Sequence, residues 1–303
     1  MENIGALDNL RVTVLAEDSV LYESQYLGQH GVSFLLECMG SGAKRNILVD
    51  VGQNPEALLF NMQKMGVSPS IVDGIVLTHC HYDHTQGLSR ILRAIGRDNT
   101  EVVAHSDIFR PHFLLEPHFR CVGIMPGDSK PEIENSGGRP CLSREPFTLM
   151  PGVTTTGEVK RRTDFEKSPI GLKTIKNGAV VDDPIPDDIS VVAGIKGKGL
   201  VIITGCSHAG IVNITRQAIE ITGCHQIEGI IGGLHLIEAS DEVIRKTVDE
   251  LYRLKVSWIS AGHCTGFEAQ IELRTAFGEG LSPLHTGMQF NLTSADNHDI
   301  KST

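Results

Sequence analysis

THCHYDHTQGL, residues 78–88, places His79, His81, Asp83 and His84 within six positions and then turns apolar at helical spacing. Extended backbone sends side chains two apart to the same side, so His79 and His81 are able to grip one metal ion together. Asp83 and His84 follow at the expected start of a helix, from which they would face a second ion close to the first. Surface histidines near a helix start are the plainer reading. The density of H-x-H-x-D-H, set between a β-rich run and a helix, argues for ligands. Leu88, Ile91, Leu92 and Ile95 form the apolar stripe of that helix, which should stop near Gly96.

Outward from this stretch the same strand-then-helix unit recurs. LRVTVLA, GVSFLLE and NILVDVG read as strands, and the last leads into NPEALLFNMQKMG, a helix capped by Asn54 with Pro55 in its first turn. ISVVAGI and GLVIITG, joined by KGKG, read as a hairpin whose second arm runs into CSHAGIVNITRQAIEITG. IEGIIGG precedes a helix opened by Ser240 with Asp241 and Glu242 in its first turn, and VSWISAG precedes TGFEAQIELRTAFG. The class is α/β. Residues 107–188 break the rhythm with scattered Pro, Gly and charge, which predicts a lid-like irregular insertion within one domain spanning residues 1–303. LTSADNHDIKST, at the end, is polar and expected to fray.

Composition narrows the function. A net charge of −10 disfavours attraction to nucleic acid or anionic lipid. There is no apolar run of about 18 residues and no basic-then-apolar start, so a cytoplasmic, non-membrane protein is expected. Seven cysteines without framework spacing suit a reducing compartment. The sequence leaves room for a homo-oligomer.

The order NILVDVG, THCHYDHTQGL and then glycine-flanked ligands at strand ends resembles the metallo-β-lactamase fold superfamily. The phrases VVAHSDIF, TTTGEV, TGCSHAGIVN, GGLHL and AGHCTG resemble its branch named for the dihydropterin ribofuranosylaminobenzene phosphate synthase. The resemblance implies a four-layer αββα sandwich with its site at one edge. It also implies two divalent metal ions, zinc first, with iron or manganese as alternatives. His263 stands where the superfamily has its last ligand histidine, and Cys206 where most members carry a bridging aspartate. A thiolate there favours zinc and makes the site oxidisable, whereas a buried free cysteine is the plainer reading. The third-motif histidine is missing before this strand. His208, two residues after Cys206, and Glu158 in TTTGEV are the two candidates for the vacancy, with His208 preferred because it keeps the ligand type.

Asp50, close to the superfamily's first-motif aspartate, is expected to orient a ligand without touching metal. His235, in GGLHL, is expected to face the cleft as a proton donor or substrate contact, a satisfied structural histidine being the alternative. Asp83 would bind metal and steer the nucleophile. Glu158, Lys160 and Arg161 are candidate substrate contacts, the two cations for phosphate, with a solvated charge run as the alternative. His30, His112, His118, His225, His285 and His298 have no spacing argument and default to structural or surface roles. The leading expectation is a hydrolase in which metal-activated hydroxide attacks a phosphoester of a small phosphorylated metabolite. The branch resemblance implies instead a transferase joining a pterin-like substrate to a phosphorylated ribosyl aminobenzene with loss of pyrophosphate. A third expectation is iron redox work or ligand sensing on the same fold.

Overall fold

The computed structural model describes residues 4–167, 171–294 and 299–301, in which the strands form three sheets. The first runs, in spatial order, Asp299–Lys301, Gln289–Thr293, Asn9–Ala16, Ser33–Gly40, Ala43–Val49, Gly74–Val76, Thr100–Ala104 and Gly138–Leu142. The second runs Leu281–Pro283, Trp258–Gly262, Ile227–Gly233, Gly199–Thr204, Val191–Ile195, Val153–Thr155 and Thr148–Met150. A small third sheet joins Ala179–Asp182, Leu172–Lys176, Phe113–Leu114 and Arg120–Cys121.

The two large sheets are buried on both faces, which explains why their strands read as nearly continuous apolar runs. Along Ser33–Gly40 the pleat sends Phe34, Leu36 and Cys38 inward, where they join a core with Val191, Val201, Ile203 and Trp258 of the facing sheet. Leu35, between them, points out to a second core formed with Leu58 and Met62 of helix Pro55–Lys64 and Leu88, Ile91 and Leu92 of helix Leu88–Ile95. Helices Ile211–Thr222, Asp241–Arg253 and Phe267–Phe277 cover the outer face of the second sheet around Ile202, Ile230 and Ile259. The result is helix, sheet, sheet, helix: the expected αββα sandwich.

Local signals fall where the sequence puts them. Asn54 Oδ1 accepts from the Glu56 and Ala57 N–H groups at 3.0 and 3.2 Å. Gly96, at φ 70°, closes the helix after the ligand stretch in the left-handed conformation that glycine tolerates. The hairpin around KGKG pairs Ile195 with Gly199.

The irregular segment holds more regular structure than its composition suggests. Gly138–Leu142 is an edge strand of the first sheet, and Thr148–Met150 and Val153–Thr155 extend the second. These strands are too short, and too interrupted by Pro and Gly, to show a period. At the C-terminal end, Asp299–Lys301 pairs with Gln289–Thr293, whereas residues 295–298 and 302–303 of the tail expected to fray lie outside the described residues. Among the described residues no helix is long and apolar enough to cross a membrane.

Five strands end at the same edge of the sandwich, and each is followed by a candidate site residue. Ala43–Val49 leads to Asp50, Gly74–Val76 to the opening stretch, Gly199–Thr204 to Cys206, Ile227–Gly233 to His235 and Trp258–Gly262 to His263. Parallel pairing of Val49 with Val76, Thr204 with Gly232 and Gly233 with Gly262 brings those ends level. Since Phe34 is completely buried between the sheets, Phe34→Ala should cost about 3–5 kcal/mol in denaturant unfolding. A loss below about 1 kcal/mol would show that the inter-sheet core is able to close over the gap.

Candidate metal centre

Asp50 follows its strand at φ 56° and is fully buried. Its carboxylate accepts from the Thr78 N–H at 2.8 Å and the Thr78 hydroxyl at 2.7 Å, and its Oδ2 lies 2.7 Å from His84 Nδ1. His84 Nε2 is thereby turned toward the Cys206 Sγ at 3.2 Å. Asp50 therefore stands behind His84, joined to it and to Thr78. Tyr82–Thr85 form one helical turn after His81, so Asp83 and His84 point to the same place as their neighbours.

Two groups of donors converge, with Cys206 common to both. In the first, His79, Cys206 and His208 bring ligand atoms within 4.8 Å of one another. His81 Nδ1 lies 2.9 Å from His79 Nε2 and 3.1 Å from His208 Nε2. In the second, Asp83, His84, Cys206 and His263 meet within 4.8 Å. Asp83 Oδ2 stands 3.4 Å from His84 Nε2 and 3.3 Å from His263 Nε2. Donor atoms of a tetrahedral zinc site are about 3.3–3.4 Å apart for zinc–nitrogen bonds of about 2.0–2.1 Å. The spacing and the nitrogen, sulfur and carboxylate donors fit borderline-soft divalent ions.

The two groups differ in proton balance. Burial, reinforced by mutual histidine repulsion, holds His79, His81 and His208 well below the usual histidine range, so their lone pairs are free at neutral pH. Burial also acts on His84, but Asp83 and Asp50 outweigh it and push its pKa up to about 9. His263 is raised as well, since Cys264, Asp18 and Asp83 outweigh its burial. Burial raises the Cys206 thiol.

The loop carrying Cys206 and His208 is pinned from several sides. Ser207 donates to the Gly233 carbonyl at 2.7 Å, the Ala209 N–H donates to Asp188 at 2.6 Å, and Arg161 donates to the His208 carbonyl at 2.6 Å. Gly205 has no room for a side chain: a Cβ there would stand 2.2 Å from Thr78 Oγ1 and 2.8 Å from Asp50 Oδ2.

Several residues without a sequence signal belong to the same assembly. Asp18 Oδ2 lies 2.6 Å from His263 Nδ1, and His30 bridges Asp18 and Asp83 at 3.0 and 3.5 Å. Cys264 Sγ reaches the Cys206 carbonyl at 3.4 Å and forms a further close group with Cys206 and His235. His112 Nε2 lies 2.8 Å from His81 Nε2, and its Nδ1 lies 2.7 Å from Asp183, which is held in turn by Arg110 at 2.7 Å. Thus His30 and His112, read as structural or surface residues, abut the centre. Their positions come from loop closure across long sequence separations, which spacing does not reveal. His298 lies outside the described residues.

The expected substrate contacts are placed differently. Glu158 faces Arg144 at 2.8 Å and His105 at 3.3 Å and joins neither ligand group, so it is His208 that meets His79 and His81. Lys160 pairs with Glu220 at 3.1 Å, on the helix behind the site, and Arg161 is committed to backbone carbonyls of His208 and Pro184. Attraction to partners distant in sequence has drawn these cations away from the cleft. His235 does face it, its ring 4.0 Å from that of His208, with Nδ1 buried and unpartnered. Burial lowers the His235 pKa, but Cys264, Asp188 and Glu238 outweigh this and leave it raised.

A cleft of about 510 Å³ opens over Asp83, Cys206 and His263, and a cavity of about 350 Å³ adjoins it beside Phe165, Leu234 and Val243. His208, His235 and Glu238 line both.

The model of the metallo-beta-lactamase superfamily matches residues 28–263. The chain belongs to that superfamily. Among curated relatives of this metallo-beta-lactamase-fold chain is the 7,8-dihydropterin-6-methyl-4-(beta-D-ribofuranosyl)-aminobenzene-5'-phosphate synthase of Methanocaldococcus jannaschii. It is 42% identical over 288 residues, covering 94% of this chain and 97% of the relative. Among solved structures, Tm1679, a metal-dependent hydrolase of the beta-lactamase superfamily, superposes with a TM-score of 0.77 at 25% identity, over 96% of this chain and 100% of its own. The metallo-beta-lactamase fold protein YhfI from Bacillus subtilis shares the fold at a TM-score of 0.58 and 14% identity, over 94% and 99%. Divalent metals are general to this superfamily.

Two expected outcomes follow from the geometry. Ligation needs neutral histidine and thiolate, so filling the group of Asp83, His84, Cys206 and His263 should release about two or three protons near pH 7.5, and affinity there should rise with pH. Filling the group of His79, His81, Cys206 and His208 should release only about one, from the Cys206 thiol, because its histidines are already neutral. Zinc titration calorimetry in two buffers of different ionisation enthalpy should show one strongly and one weakly buffer-dependent event; equal dependence in both would contradict the assignment. Separately, Gly205→Ala should displace Thr78, Asp50 and His84 and weaken bound metal about 10–100-fold in a chelator competition.

Proposed function

We propose that this chain is a metal-dependent transferase that joins a dihydropterin bearing a diphosphate leaving group to a phosphorylated ribosyl aminobenzene. The observation that carries the reading is the near full-length identity of 42% to a synthase named for that product. It is supported by the two adjoining cavities that meet at His208, His235 and Glu238, an arrangement suited to two reactants held on either side of one reacting centre. In the proposed step the aminobenzene nitrogen attacks the pterin methyl carbon. The bond from that carbon to the diphosphate oxygen breaks, the oxygen keeps the electron pair, and the nitrogen gives up one proton.

His79, His81, Cys206 and His208 would hold one ion, and Asp83, His84, Cys206 and His263 a second. Bound divalent ions would supply the positive charge that stabilises a departing diphosphate. Asp50 and His112 hold His84 and His81 in orientation from behind. His235, its pKa raised by Cys264, Asp188 and Glu238 against its burial, would donate to an anionic oxygen of the leaving group, and the apolar wall at Phe165, Leu234 and Val243 would keep water from the reacting carbon.

Hydrolysis of a phosphoester is the second reading, favoured by the likeness to Tm1679. In it Asp83 orients an attacking water and His235 protonates the leaving oxygen. Incubating metal-loaded protein with the dihydropterin diphosphate, with and without the phosphorylated aminobenzene riboside, separates the two. Transfer predicts joined product and diphosphate in equal amounts, only when both reactants are present. Diphosphate or phosphate released without the second reactant would select hydrolysis. In either reaction His81→Ala should lower bound metal and abolish turnover while leaving the circular dichroism spectrum unchanged; normal activity and metal content in that variant would refute the centre.

A further inference from the structure

The cleft over the ligand groups carries an unusual charge balance. Asp18, Asp83, Glu116 and Glu238 line it, and Arg120 is the one permanently charged cation among its described lining residues. Arg120 belongs to the short strand Arg120–Cys121 of the small third sheet, which pairs antiparallel with Phe113–Leu114 so that Arg120 stands directly opposite Leu114. Residues opposed in this way present their side chains on the same face. Leu114 lines the cleft too, so the guanidinium stands over it.

Arg120 is exposed and, among the described residues, its side chain has no ion pair and no hydrogen bond. The other arginines of the segment are committed, as is Lys160. Arg110 is held by Asp183 and Asp187, Arg144 by Asp107 and Glu158, and Lys160 and Arg162 by Glu220. Beneath Arg120 the wall is apolar, with Leu114, Val122 and Leu172 packed beside Tyr82. The opposite rim carries Ile237, which is 61% exposed. An unengaged planar fork of donors above an apolar wall suits a molecule with a flat unsaturated body and a compact dianion at one end.

We propose that Arg120 receives the non-reacting phosphate monoester of an aryl ribosyl phosphate, whose ring lies along Leu114, Val122 and Leu172. The proposal rests on the transferase reading for the identity of that substrate, and it assigns phosphate recognition to the small third sheet, away from the Lys160 and Arg161 that the charge pattern suggests.

The test is titration calorimetry on the zinc-loaded full chain with two probes, phenyl β-D-ribofuranoside 5-phosphate and the same riboside without phosphate. Wild type should bind the phosphate about ten- to a hundredfold more tightly than the plain riboside. Arg120→Gln should remove most of that preference while leaving riboside affinity and zinc content unchanged. Arg120→Lys should keep part of it, as a point charge without the fork, and Lys160→Gln should keep all of it. Three results would overturn the proposal: no phosphate preference in wild type, a preference undiminished in Arg120→Gln, or one lost equally in Lys160→Gln. Binding is read without turnover, so a chain that proves to be a hydrolase yet shows the Arg120-dependent preference would refute the transferase reading alone.

Discussion

Everything at the functional edge depends on one buried carboxylate held between two strand ends. Asp50 leaves its strand in a left-handed conformation and closes on Thr78 through both backbone and hydroxyl, and on His84 through the ring. A carboxylate with no exposure is costly unless its oxygens are satisfied, and these three contacts satisfy it. The same contacts fix where the loop of residues 78–84 starts and which way His84 turns. Gly205 completes the constraint from the facing sheet, because the loop of Cys206 reaches His84 only where no Cβ intervenes. The sandwich thus delivers donors from both sheets to one edge, and a short buried network sets their orientation.

The two donor groups are not equivalent, although they share a sulfur. One is a set of neutral histidines whose burial has already removed the competing proton. The other is interleaved with Asp83, Asp50 and Asp18, which keep its histidines charged until something displaces the proton. Sequence spacing alone makes the groups look alike, since both come from H-x-H-x-D-H and a later strand end. The asymmetry arises from which carboxylates the fold places behind each ring.

Much of this was legible in the residues. Asn54, Gly96 and Ser240 mark helix ends that the structure keeps, and the strand runs around NILVDVG and GLVIITG carry the apolar density of strands buried on both faces. His79, His81, Asp83 and His84 come together because their spacing is local. Cys206, His208 and His263 were legible through resemblance and through their position after strands. Asp18, His30, His112 and Cys264 were not, because each reaches the centre across a loop whose closure no short-range pattern encodes. Lys160 and Arg161 illustrate the opposite failure: a charge cluster advertises an anion, yet Glu220 and two backbone carbonyls, distant in sequence, already answer it. The segment 107–188 looked irregular because its strands are two to five residues long and serve three different sheets.

His112 gives that segment a second office. It sits just before the strand Phe113–Leu114 and reaches back to His81, with Asp183 and Arg110 behind it. The small sheet that walls the cleft is therefore mechanically continuous with a donor of the metal centre. Linkage is reciprocal, so whatever steadies that sheet steadies His81, and an ion on His81 steadies the sheet by the same free energy. Occupancy of that centre and the firmness of the cleft wall would, in this chain, be one equilibrium read at two ends.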